Sequence, residues 1–93
     1  MSDREAFYIN LKVKLEETTK FPSKYLYKFI VPTTKDQEKQ VQDLFNSGGA
    51  VISTRKSRSG KYVSVSIHLK VRNADEVISY YKKAESIEGI ISL

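Results

Sequence analysis

Between Val63 and Val71 apolar and polar side chains alternate without a break: Val63, Val65, Ile67, Leu69 and Val71 against Ser64, Ser66, His68 and Lys70. A period of two sends successive side chains to opposite faces of a β-strand. The run therefore specifies a strand with one buried face and one that is wet or partner-facing. Such a strand needs neighbours that complete a sheet and a second layer that covers only one side of it.

The neighbours can be read on either side. Ser57, Arg58, Ser59 and Gly60 form a turn signal, with Gly60 able to take the positive φ of a tight hairpin, and a short strand from about Ala50 to Lys56 leads into it. Upstream, YLYKFIV from Tyr25 to Val31 is aromatic and β-branched and is stopped by Pro32. Its faces are Tyr25, Tyr27, Phe29 and Val31 on one side and Leu26, Lys28 and Ile30 on the other. Thr34 stands three residues before Gln37 as a capping box, and Val41, Leu44 and Phe45 follow at helical spacing, with Gly48 and Gly49 as the expected stop. Asn73 and Glu76 open a second helix whose Val77, Ile78, Tyr81 and Ala84 point inward; Gly89 ends it and IISL reads as a last strand. The order β-α-β-β-α-β is the α+β, ferredoxin-like sandwich. Right-handed crossovers put both helices on one face of an antiparallel four-stranded sheet.

Residues 1–20 stand outside this plan as an N-terminal extension, and residues 21–93 form the domain. Phe7, Ile9, Leu11, Val13 and Leu15 alternate with Tyr8, Asn10, Lys12 and Lys14, which taken alone favours a strand. Read as a helix, Phe7, Tyr8, Leu11 and Leu15 form a stripe and leave Ile9 and Val13 on the far side.

The phrases FPSKYLYKFIVP at Phe21–Pro32, RSGKYVSVSIHL at Arg58–Leu69 and YYKKAESIEGIISL at the end resemble the YbeD-like family of small bacterial proteins. The resemblance runs from about Phe21 to Leu93 and departs at Arg58, where that family often has Ser. It implies a helix before Phe21-Pro22, which tips the extension towards helix, and a fold similar to ACT regulatory domains. It also implies a regulatory or interaction module and no settled biochemical activity.

A chain of 93 residues suits one domain that buries roughly 60 to 65% of its unfolded surface. No apolar run reaches membrane-spanning length, the N-terminus has no signal-peptide core, and cysteine is absent. A cytoplasmic protein without membrane attachment is expected, and so is the absence of any cofactor. The net charge of +5 is local: Arg55, Lys56, Arg58, Lys61, Lys70 and Arg72 fall in a stretch between Ala50 and Ala74 without Asp or Glu. The rest of the chain holds ten basic and eleven acidic residues, so the positive field belongs to one hairpin-sized segment.

Catalysis finds little support. His68 is the single histidine, no Gly-x-Ser-x-Gly motif is present, and one His with scattered acids does not make a metal site. His68 reads as a partly exposed sheet residue beside Lys70. SRSGK lacks the upstream glycine and following Ser or Thr of a phosphate loop, and a strand follows it. Arg55, Lys56, Arg58, Gly60 and Lys61 are the candidate anion-binding residues, against the plainer reading of a solubilising hairpin tip. RNA binding through this hairpin is the alternative function, and nucleic acid ranks below a protein partner, a homodimer or a small-molecule effector. Tyr62 is an outward aromatic, but Ser64, Ser66 and His68 follow it where a base-stacking platform needs a second ring. Leu26, Lys28, Ile30, Tyr62, Ser64, Ser66 and His68 instead make a mixed, uncovered face suited to a protein partner or an effector.

Overall fold

A computed structural model describes residues 3–46 and 49–93. Its elements, in chain order, are α1 (Asp3–Thr18), β1 (Ser23–Pro32), α2 (Gln37–Leu44), β2 (Val51–Lys56), β3 (Tyr62–Val71), α3 (Ala74–Ala84) and β4 (Ile91–Ser92). The strands form one sheet in the order β2-β3-β1-β4 with every pairing antiparallel. This is the ferredoxin-like plan: β3 lies between β1 and β2, and β1 between β3 and β4.

The alternation in β3 becomes burial. Val63, Val65, Ile67, Leu69 and Val71 are buried, as are Tyr27, Phe29 and Val31 opposite them, while Lys28, Tyr62, His68 and Lys70 are exposed. Helices supply the other half of the core through Val41, Val77 and Ala84, and Phe45, Tyr80 and Tyr81 from the helical layer complete a ring cluster on Tyr27 and Phe29 of β1. Tyr27 is fully buried, and its hydroxyl donates to the Val77 carbonyl at 3.0 Å, so the one polar atom of that ring is satisfied.

Three helix boundaries differ from the sequence reading: both ends of α2, and the end of α3, which stops at Ala84 with Glu85 as its cap and not at Gly89. Gln37 is the first residue of α2, and Asp36 precedes it without a side-chain cap. Thr34 and Gln37 do meet, as Gln37 Nε2 donates to Thr34 Oγ1 at 3.3 Å while Lys35 N donates to Gln37 Oε1 at 2.7 Å. With its amide occupied in this way, Gln37 is buried as a clasp on the loop. The helix then stops at Leu44, because Phe45 turns into the aromatic core and its N–H bonds back to Gln42 O. Gly49 has the expected positive φ, and Gly48 lies outside the described residues. At α3 the cap is as read: Asn73 Oδ1 accepts from Glu76 N at 2.8 Å, and the Glu76 carboxylate turns to Arg72.

The extension is helical. Tyr8 and Leu15 are buried, Leu11 packs against the core, and Ile9 and Val13 face outward. Phe7 is 57% exposed, so the stripe is narrower than expected. Arg4 and Tyr8 reach Glu85 at the end of α3, and Lys12 reaches Asp75 at its start, so α1 runs antiparallel to α3. A strand would have offered no such row of partners. The helix joins the covered side, and the opposite sheet face stays open. Among the described residues no helix is long and apolar enough to cross a membrane.

Candidate functional site: the uncovered sheet face

Register fixes what the open face contains. Val51, His68 and Leu26 form one row across β2, β3 and β1; Ser53, Ser66 and Lys28 form the next; Arg55, Ser64, Ile30 and Ile91 the third; and Tyr62 lies beside Pro32 in the last. Lys24 and Lys70 pair beyond the first row. Leu26, Val51, Tyr62 and Ile91 are each about half exposed or more. Every residue proposed for this face from the sequence is on it; Val51, Ser53 and Ile91 were missed because only strand pairing brings them there.

Charge follows the same division. All eleven Asp and Glu residues fall in helices or in the segments flanking them, and none in a strand. The ion pairs Arg4–Glu85, Lys12–Asp75, Lys35–Glu88 and Arg72–Glu76 all involve those segments. Among the described residues no carboxylate lies within ion-pair distance of Lys24, Lys28, Arg55 or Lys70. The side-chain cations of the sheet face have no acidic side chain beside them, and their potential adds up over three strands.

The candidate hairpin cluster is divided by the fold. Arg55 stands opposite Ser64 on the open face, whereas Lys56 stands opposite Val63, in register with the covered side. Arg58, Gly60 and Lys61 occupy the turn, and Gly60 has φ +74°. Some of the turn's amides are occupied: Gly60 N donates to Ser57 O at 3.0 Å, Lys61 N to Ser59 Oγ at 3.3 Å and Tyr62 N to Ser57 Oγ at 3.2 Å, while the Arg58 and Ser59 amides have no acceptor among the described residues. Thr33 fastens the tip from the end of β1 through Thr33 Oγ1 to Gly60 O at 2.7 Å. An anion at the tip would meet side-chain charge but few free backbone donors.

Between the apolar ends of the open face lies a shallow trough of about 470 Å³, lined by Lys28, Ser53, Arg55, Ser64 and Ser66 together with the Thr54–Ser57 edge. The hydroxyls of Ser53, Ser64 and Ser66 make no hydrogen bond to another described residue, in contrast to Ser57 and Ser59 in the turn.

A second concavity, not anticipated from the sequence, lies between α1, the end of α3 and the C-terminal residues, with a volume of about 670 Å³. Tyr8, Tyr25 and Tyr81 line it along with Phe7, Leu11 and Leu93. The Tyr25 and Tyr81 hydroxyls are 2.9 Å apart, and the Tyr8 hydroxyl donates to Glu85. Burial, reinforced by the bond to Glu85, pushes the Tyr8 phenol up to about 12; burial and then the bond to Tyr25 push Tyr81 up as well. These phenols are neutral donors, not bases. Among the described residues no group of three or more His, Asp or Glu is placed to hold a metal ion.

The profile of the family described as "Protein of unknown function (DUF493)" matches residues 16–93. UPF0250 proteins of Haemophilus influenzae strains PittEE and PittGG are 31% identical over 83 residues, which is 83% of this chain and 87% of each relative. Among solved structures, the ACT domain from GTP pyrophosphokinase of Chlorobium tepidum aligns with a TM-score of 0.55 at 12% identity, covering 76% of this chain and 100% of that one. At that identity the likeness speaks for the ferredoxin-like fold alone.

Proposed function

We propose, from the premise that the chain belongs to the DUF493 family of proteins of unknown function, that it is a non-catalytic regulatory or interaction module working through its uncovered sheet face. One observation carries this reading: that face combines half-exposed Leu26, Val51, Tyr62 and Ile91 with Lys24, Lys28, Arg55 and Lys70, while every Asp and Glu side chain lies elsewhere. Apolar side chains give a partner contact area, and uncompensated cations select one with negative charge. The ACT-like fold is consistent with a regulatory role. A catalytic role lacks support because His68 is flanked across the strands by Leu26 and Val51, with no carboxylate to orient it.

The test is capture or size-exclusion chromatography with the full chain and its Leu26→Asp and Ile30→Asp variants. A self-association or partner peak should weaken in both variants while their unfolding midpoints stay close to the parent's. Unchanged profiles would remove the face from consideration. The same cationic surface also favours a second reading, RNA binding through the hairpin from Arg55 to Lys61. That reading requires steep salt dependence and a loss on neutralising Arg55, Lys56, Arg58 and Lys61.

A further inference from the structure

We infer that the trough in the middle of the open face is a binding site for a phosphate monoester carried by a small molecule, a refinement that rests on the open-face reading above. Ser53 is the register partner of Ser66, and Ser64 stands two residues along β3 on the same face. Adjacent strands lie about 4.8 Å apart and same-face residues along a strand about 6.7 Å apart. The three hydroxyls therefore outline a triangle that a tetrahedral oxyanion can span with ordinary hydrogen bonds of about 2.7 Å.

Arg55 stands opposite Ser64 on the β2 side, and Lys28 stands opposite Ser66 on the β1 side. The two long cations flank the short serines diagonally, and both can lean over the same point. Among the described residues neither has an acidic side-chain partner, and the three hydroxyls have no hydrogen-bond partner. No Asp or Glu lines the trough.

The ligand class follows from this donor set. Two cations on the open face, Lys28 and Arg55, with Lys56 a third at the trough's edge, and three hydroxyls suit a group with about two negative charges and three strong acceptor oxygens, which is a phosphate monoester at neutral pH. A single carboxylate would leave one cation and at least one hydroxyl unmatched. A phosphodiester carries one charge and two free oxygens, so a nucleic acid backbone fits less well. At about 470 Å³ the trough exceeds a phosphate group, and half-buried Ile30 and exposed Tyr62 adjoin it where the body of a small ester would lie. The turn residues Arg58 and Lys61 raise the general potential without facing this point, as the tip's hydrogen bonds hold it beyond the trough.

The experiment is an amide-resolved NMR titration of the full chain with ribose 5-phosphate, inorganic phosphate, sodium sulfate and a single-stranded RNA at constant ionic strength. Ribose 5-phosphate and inorganic phosphate are expected to shift Ser53, Ser64, Ser66 and their strand neighbours, and sulfate, a dianion of the same shape, to shift the same amides. Lys28→Gln, Arg55→Gln and Ser66→Ala should each weaken the monoester roughly tenfold, Ser66→Thr should restore most of the loss, and the Arg58→Gln/Lys61→Gln double variant should change it less than twofold. Shifts scattered over all the lysines would overturn the site. So would RNA binding that falls as much with Arg58 and Lys61 as with Lys28. If phosphate causes no shift while the Leu26-dependent partner peak persists, the phosphate site is wrong and the interaction face stands. If that peak is absent as well, both readings fall.

Discussion

Val65 and Ser66 are neighbours in the chain and occupy different solvents. The covered face of the sheet is a packed aromatic and aliphatic layer in which polar atoms such as the Tyr27 hydroxyl have partners. The open face is shallow, hydroxyl-lined and cationic, and the hydroxyls of Ser53, Ser64 and Ser66 have no partner among the described residues. Stability is concentrated on one side of the same strands, and the proposed recognition lies on the other. A substitution should register either in unfolding or in binding, according to the parity of its position.

The largest expected effect is on the covered side. Phe29→Ala removes a fully buried ring stacked on Tyr27 and should cost about 3 to 5 kcal/mol in urea unfolding, whereas Ser66→Ala should stay within about 0.5 kcal/mol. Comparable costs at both positions would erase the distinction between the faces.

Alkaline pH should also act through the covered side. Burial raises Tyr27 and Tyr81, and burial together with the bond to Glu85 raises Tyr8 to about 12. Below the ordinary tyrosine value near 10 these groups are neutral in both states. As pH rises beyond it, the unfolded chain ionises first, so stability is present below about pH 10 and lost progressively above it. Tyr8→Phe should flatten the lower part of that decline in pH-dependent thermal unfolding, and an unaltered slope would show that the phenol does not titrate differently on folding.

A smaller effect separates two turns. A Cβ on Gly89 would lie 2.7 Å from Pro32 Cγ, on top of the positive φ, whereas a Cβ on Gly60 meets nothing within 4 Å. Gly60→Ala should cost about 1 kcal/mol through backbone conformation alone, and Gly89→Ala roughly 2 to 3 kcal/mol because crowding is added. Equal losses in parallel denaturation curves would mean that the contact between the last turn and β1 relaxes freely.

Much of the fold was legible because its strongest signals are periodic. The unbroken alternation in β3 and the aromatic run in β1 name their buried residues directly, and Asn73 with Glu76 marks a helix start. The YbeD-like resemblance agreed with the family match and with the ACT-like fold. What was less legible depends on partners remote in sequence. Phe7 to Leu15 alternates as a strand does, and Glu85 and Asp75 on α3 supply the pairs that hold it as a helix. Arg55 and Lys56 look equivalent in a row of charges, yet register assigns them opposite parities. Ser53 carries no local mark, and the groove joining Arg4 to Leu93 brings together the two ends of the chain.

The hairpin turn has a consequence in time as well as in space. Lys56 pairs with Val63 across seven positions, whereas β1 meets β3 only after spans from Pro32–Tyr62 to Ser23–Val71. Closing the short loop loses far less chain entropy, so β2 and β3 are expected to zip before β1 docks. The Ser57, Ser59 and Gly60 bonds would then be present at the folding barrier. Stopped-flow chevrons of Gly60→Ala should show slowed folding with little change in unfolding, the pattern of a high φ-value; faster unfolding alone would place the turn late. On that order of events, the cationic edge strand of the proposed site is also part of the first piece of the sheet to exist.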